Sequence, residues 1–149
     1  MALPGLDRAV DDARRRRSTP GHRWSIDLPP LVEHELSSET GLAVNPSDHG
    51  RWTLVDGSAR RVLPGLLRRV THVDLFVHDS MHTGRNVSFE LGAIWPALRD
   101  GGAMLVDDIE RNAAFGQFAQ AHPEAASFVQ RAEDDRALFG ILVKRSRGS

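Results

Sequence analysis

Four short apolar runs each stop at a carboxylate. They are Trp24-Ser25-Ile26-Asp27, Trp52-Thr53-Leu54-Val55-Asp56, Val73-Asp74-Leu75-Phe76-Val77-His78-Asp79 and Ala103-Met104-Leu105-Val106-Asp107-Asp108. Near-continuous runs of this length suit strands buried on both faces, as in a parallel sheet. Between them the apolar period lengthens to that of a helix. Leu6, Val10 and Ala13 predict a helix from Gly5 to Arg17, and Val87, Leu91, Ile94 and Leu98 predict another, kinked near its end by Pro96. Ala59 to Val70 reads as two short helical pieces split at Pro64-Gly65. Leu31 to Leu36 reads as one short helix, and Ser37 to Gly50 as a loop. Gly101-Gly102 ends the long helix and begins the fourth strand. Phe115, Phe118 and Ala119 mark a helix from Asn112 to Ala121, stopped by His122-Pro123. Ser127 to Ala132 and Ala137 to Lys144 read as strands. The link Glu133 to Arg136 is too short for a parallel crossover, so these two strands form an antiparallel hairpin.

The order is a helix, then β-α four times, then a hairpin. That is a doubly wound α/β fold with one reversed strand at the sheet edge. A chain of 149 residues suffices for one domain with a real core. Residues 1–22 form an N-terminal helix and turn, 23–145 the sheet core and 146–149 a tail. In open α/β sheets, ligands sit outside the carboxyl ends of the strands. Carboxylates gathered along that edge therefore mark the candidate site.

Composition narrows the partners. The formal net charge of −1 gives no global field toward nucleic acid or a membrane surface. The absence of cysteine excludes disulfides, thiolate catalysis and Cys-ligated zinc. No apolar run reaches the roughly 18 residues of a membrane span. The N-terminus has no apolar stretch typical of a secretory signal, so a cytoplasmic location is expected. Arg14 to Arg17 suits either a solvated helix end or a phosphate contact.

Two local patterns carry a resemblance. Val73-Asp-Leu-Phe-Val-His-Asp-Ser-Met-His82 is followed by an amphipathic helix, then Leu98-Arg-Asp-Gly-Gly102 and Met104-Leu-Val-Asp-Asp108. The stretch from about Trp24 to Arg145 resembles class I S-adenosylmethionine-dependent methyltransferases, in the macrocin O-methyltransferase and cephalosporin-hydroxylase-like branch. The resemblance implies a Rossmann-like methyltransferase fold: a mostly parallel sheet, helices on both faces and a C-terminal antiparallel hairpin. It also implies roles for the carboxylates. Asp27 stands where the family binds the cofactor's ribose hydroxyls, although a turn cap before Pro29 stays open. Asp56, Gly57 and Ser58 match the adenine-contacting turn, although plain Asp-Gly turn chemistry fits as well.

Asp79, Asp107 and Asp108 match the branch's divalent metal ligands, which position a substrate diol. Three carboxylates in one site repel one another unless a cation is present, and hard oxygen donors suit Mg²⁺. Capping of the following helix by Asp107 or Asp108 stays open. His82, three residues after Asp79, is the candidate general base, because imidazole exchanges protons near neutral pH. The family often carries a second acid where Met81 stands. His82 is thus the base, or the site has none, or the histidine is structural. Asp74 and Asp100 fall at the wrong strand end or in a turn.

One departure bears on activity. The family opens with a strand and a glycine-rich loop that cradles the cofactor, and no G-x-G occurs here. By resemblance the chain is N-terminally truncated, its strands being the second to seventh of the family's sheet. A late start within a longer protein and a natural remnant both fit. The absent strand would lie between those ending at Asp27 and Asp79, leaving a slot roughly 10 Å wide. The chain alone is then expected to bind S-adenosylmethionine weakly or not at all. The implied function is metal-assisted O-methylation of a small hydroxylated metabolite, with S-adenosylmethionine and Mg²⁺ as cofactors. The alternative is a catalytically inactive binding or assembly module. The expected partner is a small-molecule substrate, without nucleic acid or membrane; a homo-oligomer stays open.

Overall fold

A computed structural model describes residues 21–28, 44–132 and 137–146. The helices expected over Gly5 to Arg17 and Leu31 to Leu36 lie outside these residues. The chain divides into two compact units, Met1–Val62 and Leu63–Ser149. Among the described residues the strands form two sheets, one in each unit.

In the first unit, β1 (Arg23–Asp27) and β2 (Trp52–Asp56) pair in parallel, with Trp24 opposite Thr53 and Asp27 opposite Asp56. The Trp52 indole N–H donates to Ser25 Oγ at 2.9 Å, tying the strands through their side chains. The loop expected before β2 ends in a 3₁₀ helix, Pro46–Arg51, capped by Asn45. Helix α1 (Ala59–Leu67) begins after β2, where Ser58 O accepts from the N–H groups of Arg61 and Val62.

α1 is one helix, not two pieces, and Pro64 sits inside it. A proline forfeits only the bond to the carbonyl four residues back. Here that carbonyl belongs to Arg60, in the first turn. Leu63 and Leu66, both buried, hold the helix on either side of the proline.

The second unit contains a four-stranded sheet in the order β3-β4-β6-β5. β3 (Val73–His78) runs parallel to β4 (Leu98–Val106). β6 (Leu138–Val143) lies antiparallel to β4, and β5 (Ala126–Arg131) antiparallel to β6. The hairpin is as expected, but the reversed strand is β6 and it lies inside the sheet. Composition explains the swap: Leu-Phe-Gly-Ile-Leu-Val suits burial, whereas Ala-Ser-Phe-Val-Gln-Arg suits an edge.

Helix α2 (Gly84–Ile94) stops before Pro96. Leu98 belongs to β4, so its fit to the helical period is a coincidence of spacing. The sole lysine of the chain, Lys144, closes the helix end, donating from Nζ to Trp95 O at 3.0 Å and Leu98 O at 2.6 Å. Cations suit that end because its carbonyls lack helical partners.

Along β4 the pairing with β3 jumps from Val73–Leu98 to Leu75–Ala103. The intervening Arg99 to Gly102 forms a bulge in which Gly101 takes φ +74°. Helix α3 (Ala114–Ala121) packs beside α2. Val87, Leu91 and Ile94 of α2, Phe115 of α3, Met104 and Val106 of β4 and Leu142 of β6 are all buried. Among the described residues no helix is long and apolar enough to cross a membrane.

One contact sets the distance between α3 and the sheet. A Cβ built on Gly140 would lie 2.4 Å from the Phe115 ring. We expect Gly140→Ala to destabilise the protein by about 1–3 kcal/mol, the usual range for overpacking. Denaturant unfolding measures this, and adding Phe115→Leu should recover part of the loss.

Candidate functional site

The last rung between β3 and β4 brings the candidate residues together. His78 pairs with Val106, and the Asp107 N–H donates to His78 O at 3.1 Å. The residues that follow, Asp79 and Asp107, must therefore emerge side by side. A tight turn then returns His82 to the same place. Ligand atoms of Asp79, His82 and Asp107 all lie within 4.8 Å of one another. Asp79 is exposed, while His82 and Asp107 are half-buried.

Asp108 lies beside this group and has other partners. Its Oδ2 is 2.6 Å from Arg111 Nε and 3.8 Å from His82 Nδ1. Its backbone is left-handed, at φ 51° and ψ 42°. That conformation costs most residues roughly 1–2 kcal/mol, with Asp and Asn among the more tolerant. The Asp108 N–H donates to Asp107 Oδ1 at 2.8 Å. Asp108 makes no side-chain capping bond to the 3₁₀ turn Ile109–Arg111. Asn112 Oδ1 accepts from Ala114 N–H at 2.9 Å instead, at the start of α3.

His82 Nε2 is buried and has no hydrogen-bond partner among the described residues. A buried nitrogen left in that state is costly, and open to a cation or a proton. Two oxygen donors and an imidazole fit a divalent cation by type. Ligand atoms within 4.8 Å of one another are of the order of the about 4.1 Å between opposite ligands of an octahedral Mg²⁺.

The turn carrying Asp79 and His82 is held from below. Thr83 caps α2, its Oγ1 accepting from Asn86 N–H at 3.3 Å. Asn86 Nδ2 reaches Met81 O at 3.1 Å, Ser80 Oγ at 3.2 Å and Glu90 Oε1 at 2.8 Å. Ser80 Oγ donates to the same Glu90 oxygen at 2.9 Å. Glu90 Oε2 lies 3.7 Å from Nε2 of His78, and both side chains are buried. Asn112 Nδ2 donates to His82 O at 3.0 Å. Sequence reasoning did not single out Ser80, Asn86, Glu90 or Asn112. Glu90 gave one signal: it occupies the core-facing stripe of Val87, Leu91 and Ile94, where a carboxylate is out of place.

The first unit carries the other expected residues. Asp27 and Asp56 end neighbouring strands and are exposed. Asp27 Oδ1 accepts from Leu28 N–H at 2.8 Å, the local turn bond that competes with a ligand role. The Gly57 N–H donates to Asp27 O at 2.8 Å. Gly57 has φ +141°, and a Cβ there would meet Val62 Cγ1 at 2.8 Å, so the Asp56-Gly57-Ser58 turn needs a glycine.

Three comparisons bear on this arrangement. The profile of a family described as a methyltransferase domain matches residues 8–109. No curated protein matches the sequence. Solved structures share the fold. One is fibrillarin from Aeropyrum pernix with natively bound S-adenosyl-L-methionine, 17% identical with TM-score 0.55 over 85% of this chain and 57% of that one. Another is MycE of the mycinamycin biosynthetic pathway with Mg and SAH, 15% identical with TM-score 0.57 over 98% of this chain and 50% of that one. A candidate O-methyltransferase from Klebsiella pneumoniae is 14% identical with TM-score 0.59, over 98% and 92% of the two chains. The chain thus spans little more than half of the fibrillarin and half of MycE.

Just past the cluster, Glu110 ties its turn to β6 by accepting from Leu138 N–H at 3.0 Å. Hydrogen bonds from its own N–H and from Leu138 hold this exposed carboxyl below the usual glutamate range, and the Arg111 and His82 charges add to the effect. A carboxyl lowered in the folded state stabilises above its unfolded pKa and loses that contribution as pH falls through the folded one. We expect wild type to exceed Glu110→Gln in stability at neutral pH. The difference should vanish on acidification below the glutamate range, as urea titrations at several pH values would report.

Proposed function

Because the chain belongs to the methyltransferase domain family, we propose that it serves S-adenosylmethionine-dependent O-methylation of a small hydroxylated metabolite, assisted by a divalent cation. One observation carries the reading. Two adjacent parallel strands deliver Asp79, His82 and Asp107 to a single point, with a buried imidazole nitrogen left unpaired. An acidic pair beside a free base suits a hydroxyl that must be oriented and deprotonated.

In this reading Asp79 and Asp107 hold the cation, with Mg²⁺ the natural choice for oxygen donors. When bound, a divalent cation would lower the pKa of a coordinated hydroxyl, and S-adenosylmethionine would supply an electrophilic methyl group. His82 takes the hydroxyl proton at Nε2. Asp108, facing Nδ1 at 3.8 Å, orients the ring. In the first unit, Asp27 would accept from the ribose hydroxyls of such a cofactor and Asp56 from its adenine amine, with Gly57 and Ser58 leaving room for the ring. MycE, solved with Mg and SAH, supports the pairing of cation and cofactor in this fold.

Metal binding tests the reading on the chain itself. We expect millimolar Mn²⁺ to raise the melting temperature, since a ligand specific to the folded state stabilises it by about 2.7 kcal/mol at a hundred times its Kd. Asp79→Asn and Asp107→Asn should abolish the shift. Asp74→Asn should not, because Asp74 pairs with Arg99 and His72 away from the cluster. His82→Gln should retain Mn²⁺ binding and lose methyl transfer. An unshifted wild type, folded and at millimolar Mn²⁺, would sink the metal assignment.

A further inference from the structure

We infer that Glu90 is a positioning residue for the cation cluster, acting through the turn between Asp79 and His82. The inference rests on the metal-assisted reading above and extends it to a residue that touches neither cation nor substrate.

Both residues that separate the proposed ligand from the proposed base are tied to Glu90. Ser80 donates to Glu90 Oε1 directly, at 2.9 Å. Met81 is tied through Asn86, whose Nδ2 reaches both Met81 O and the same carboxylate oxygen. The carboxylate is only 3% exposed and stands in the apolar stripe of α2. Burying a charge there is costly unless it is hydrogen-bonded.

Glu90 also keeps the Ser80 and Asn86 donors and His78 from being stranded in the core, so replacing it alone costs stability. What an apolar residue cannot do is accept from Ser80 and Asn86. Residues 79–83 have no helix or strand of their own, so their shape is set by these side-chain bonds. The cluster is only 4.8 Å across, and ligand sites must be held to within about 0.5 Å to bind well. Glu90 supplies that restraint from a rigid helix. Its second oxygen, 3.7 Å from Nε2 of the fully buried His78, ties the same carboxylate to the end of β3.

The test separates position from stability. Glu90→Leu removes the acceptor and keeps an apolar core, and Glu90→Gln keeps an acceptor oxygen without the charge. For Glu90→Leu we expect a lower melting temperature from the stranded donors, a loss of about tenfold or more in Mn²⁺ affinity, and, where the protein stays folded, amide hydrogen exchange that is faster across Asp79–Asn86 than in the rest of the sheet. Glu90→Gln should restore most of both. The exchange measurement is made without metal. If wild type binds no Mn²⁺, the metal reading fails, and the exchange comparison alone decides the role of Glu90. Wild-type Mn²⁺ affinity in a folded Glu90→Leu, or unchanged exchange, would overturn the inference. Should Glu90→Leu fail to fold, Asn86→Ala leaves the carboxylate in place and cuts its tie to Met81. The same faster exchange and weaker Mn²⁺ binding are then expected, and their absence is equally decisive.

Discussion

The hydrogen bond from Asp107 N–H to His78 O is the constraint on which the candidate site depends. It is the last rung of the parallel ladder, and the two chains diverge only beyond it. A slip of one residue would move Asp107 by about 3.3 Å and turn its side chain to the other face. A cluster 4.8 Å across does not survive such a slip. The bulge at Arg99 to Gly102 makes the register possible. It absorbs the surplus length of β4, so pairing at the carboxyl end is set independently of pairing at Val73.

The charge pattern at this end is uneven. Asp79, Asp107 and Asp108 contribute three carboxylates, and Arg111 answers one of them from a side chain that is 62% exposed. Exposed ion pairs of this kind contribute at most about 1 kcal/mol. Asp108 also holds a left-handed backbone, which is costly for anything but a short polar residue or glycine. Backbone strain and an excess of carboxylates thus fall at the same place, the carboxyl end of β4.

The strands were legible because each is a short apolar run with a sharp polar end, but burial on both faces does not hold for β3, where Leu75 and Val77 are 61% and 52% exposed. Trp52–Asp56 begins and ends where the sequence indicates, and β3 begins at Val73 as expected but ends at His78, one residue before Asp79. Helix ends were less legible. Leu98 fits the period of α2 by chance, and the hydrogen-bond pattern rather than hydropathy stops that helix at Ile94. Pro64 did not break α1, because its cost depends on which carbonyl loses a partner. The order of the hairpin strands followed from their relative hydropathy, a comparison the local pattern does not force. At the site, Asp79, His82 and Asp107 were each visible as candidates. The placing of Asp108 against Arg111 and His82 depends on one backbone angle that no sequence pattern encodes. The helices expected before β1 and after it fall outside the described residues.

Asn112 has a consequence of another kind. It caps the start of α3 with its carbonyl oxygen and holds His82 O with its amide, so the two loops of the cluster are joined before either reaches solvent. Every member of the cluster, and every residue that braces it, lies between His78 and Asn112, within one strand-helix-strand passage. Contacts between residues near in sequence form quickly, because little loop entropy is lost in closing them. The Asp79–His82–Asp107 group therefore belongs to the part of the molecule that can assemble early during folding. The exposed carboxylates of Asp27 and Asp56 lie in the other compact unit, so a nascent chain can bring Asp79, His82 and Asp107 together before that unit has formed.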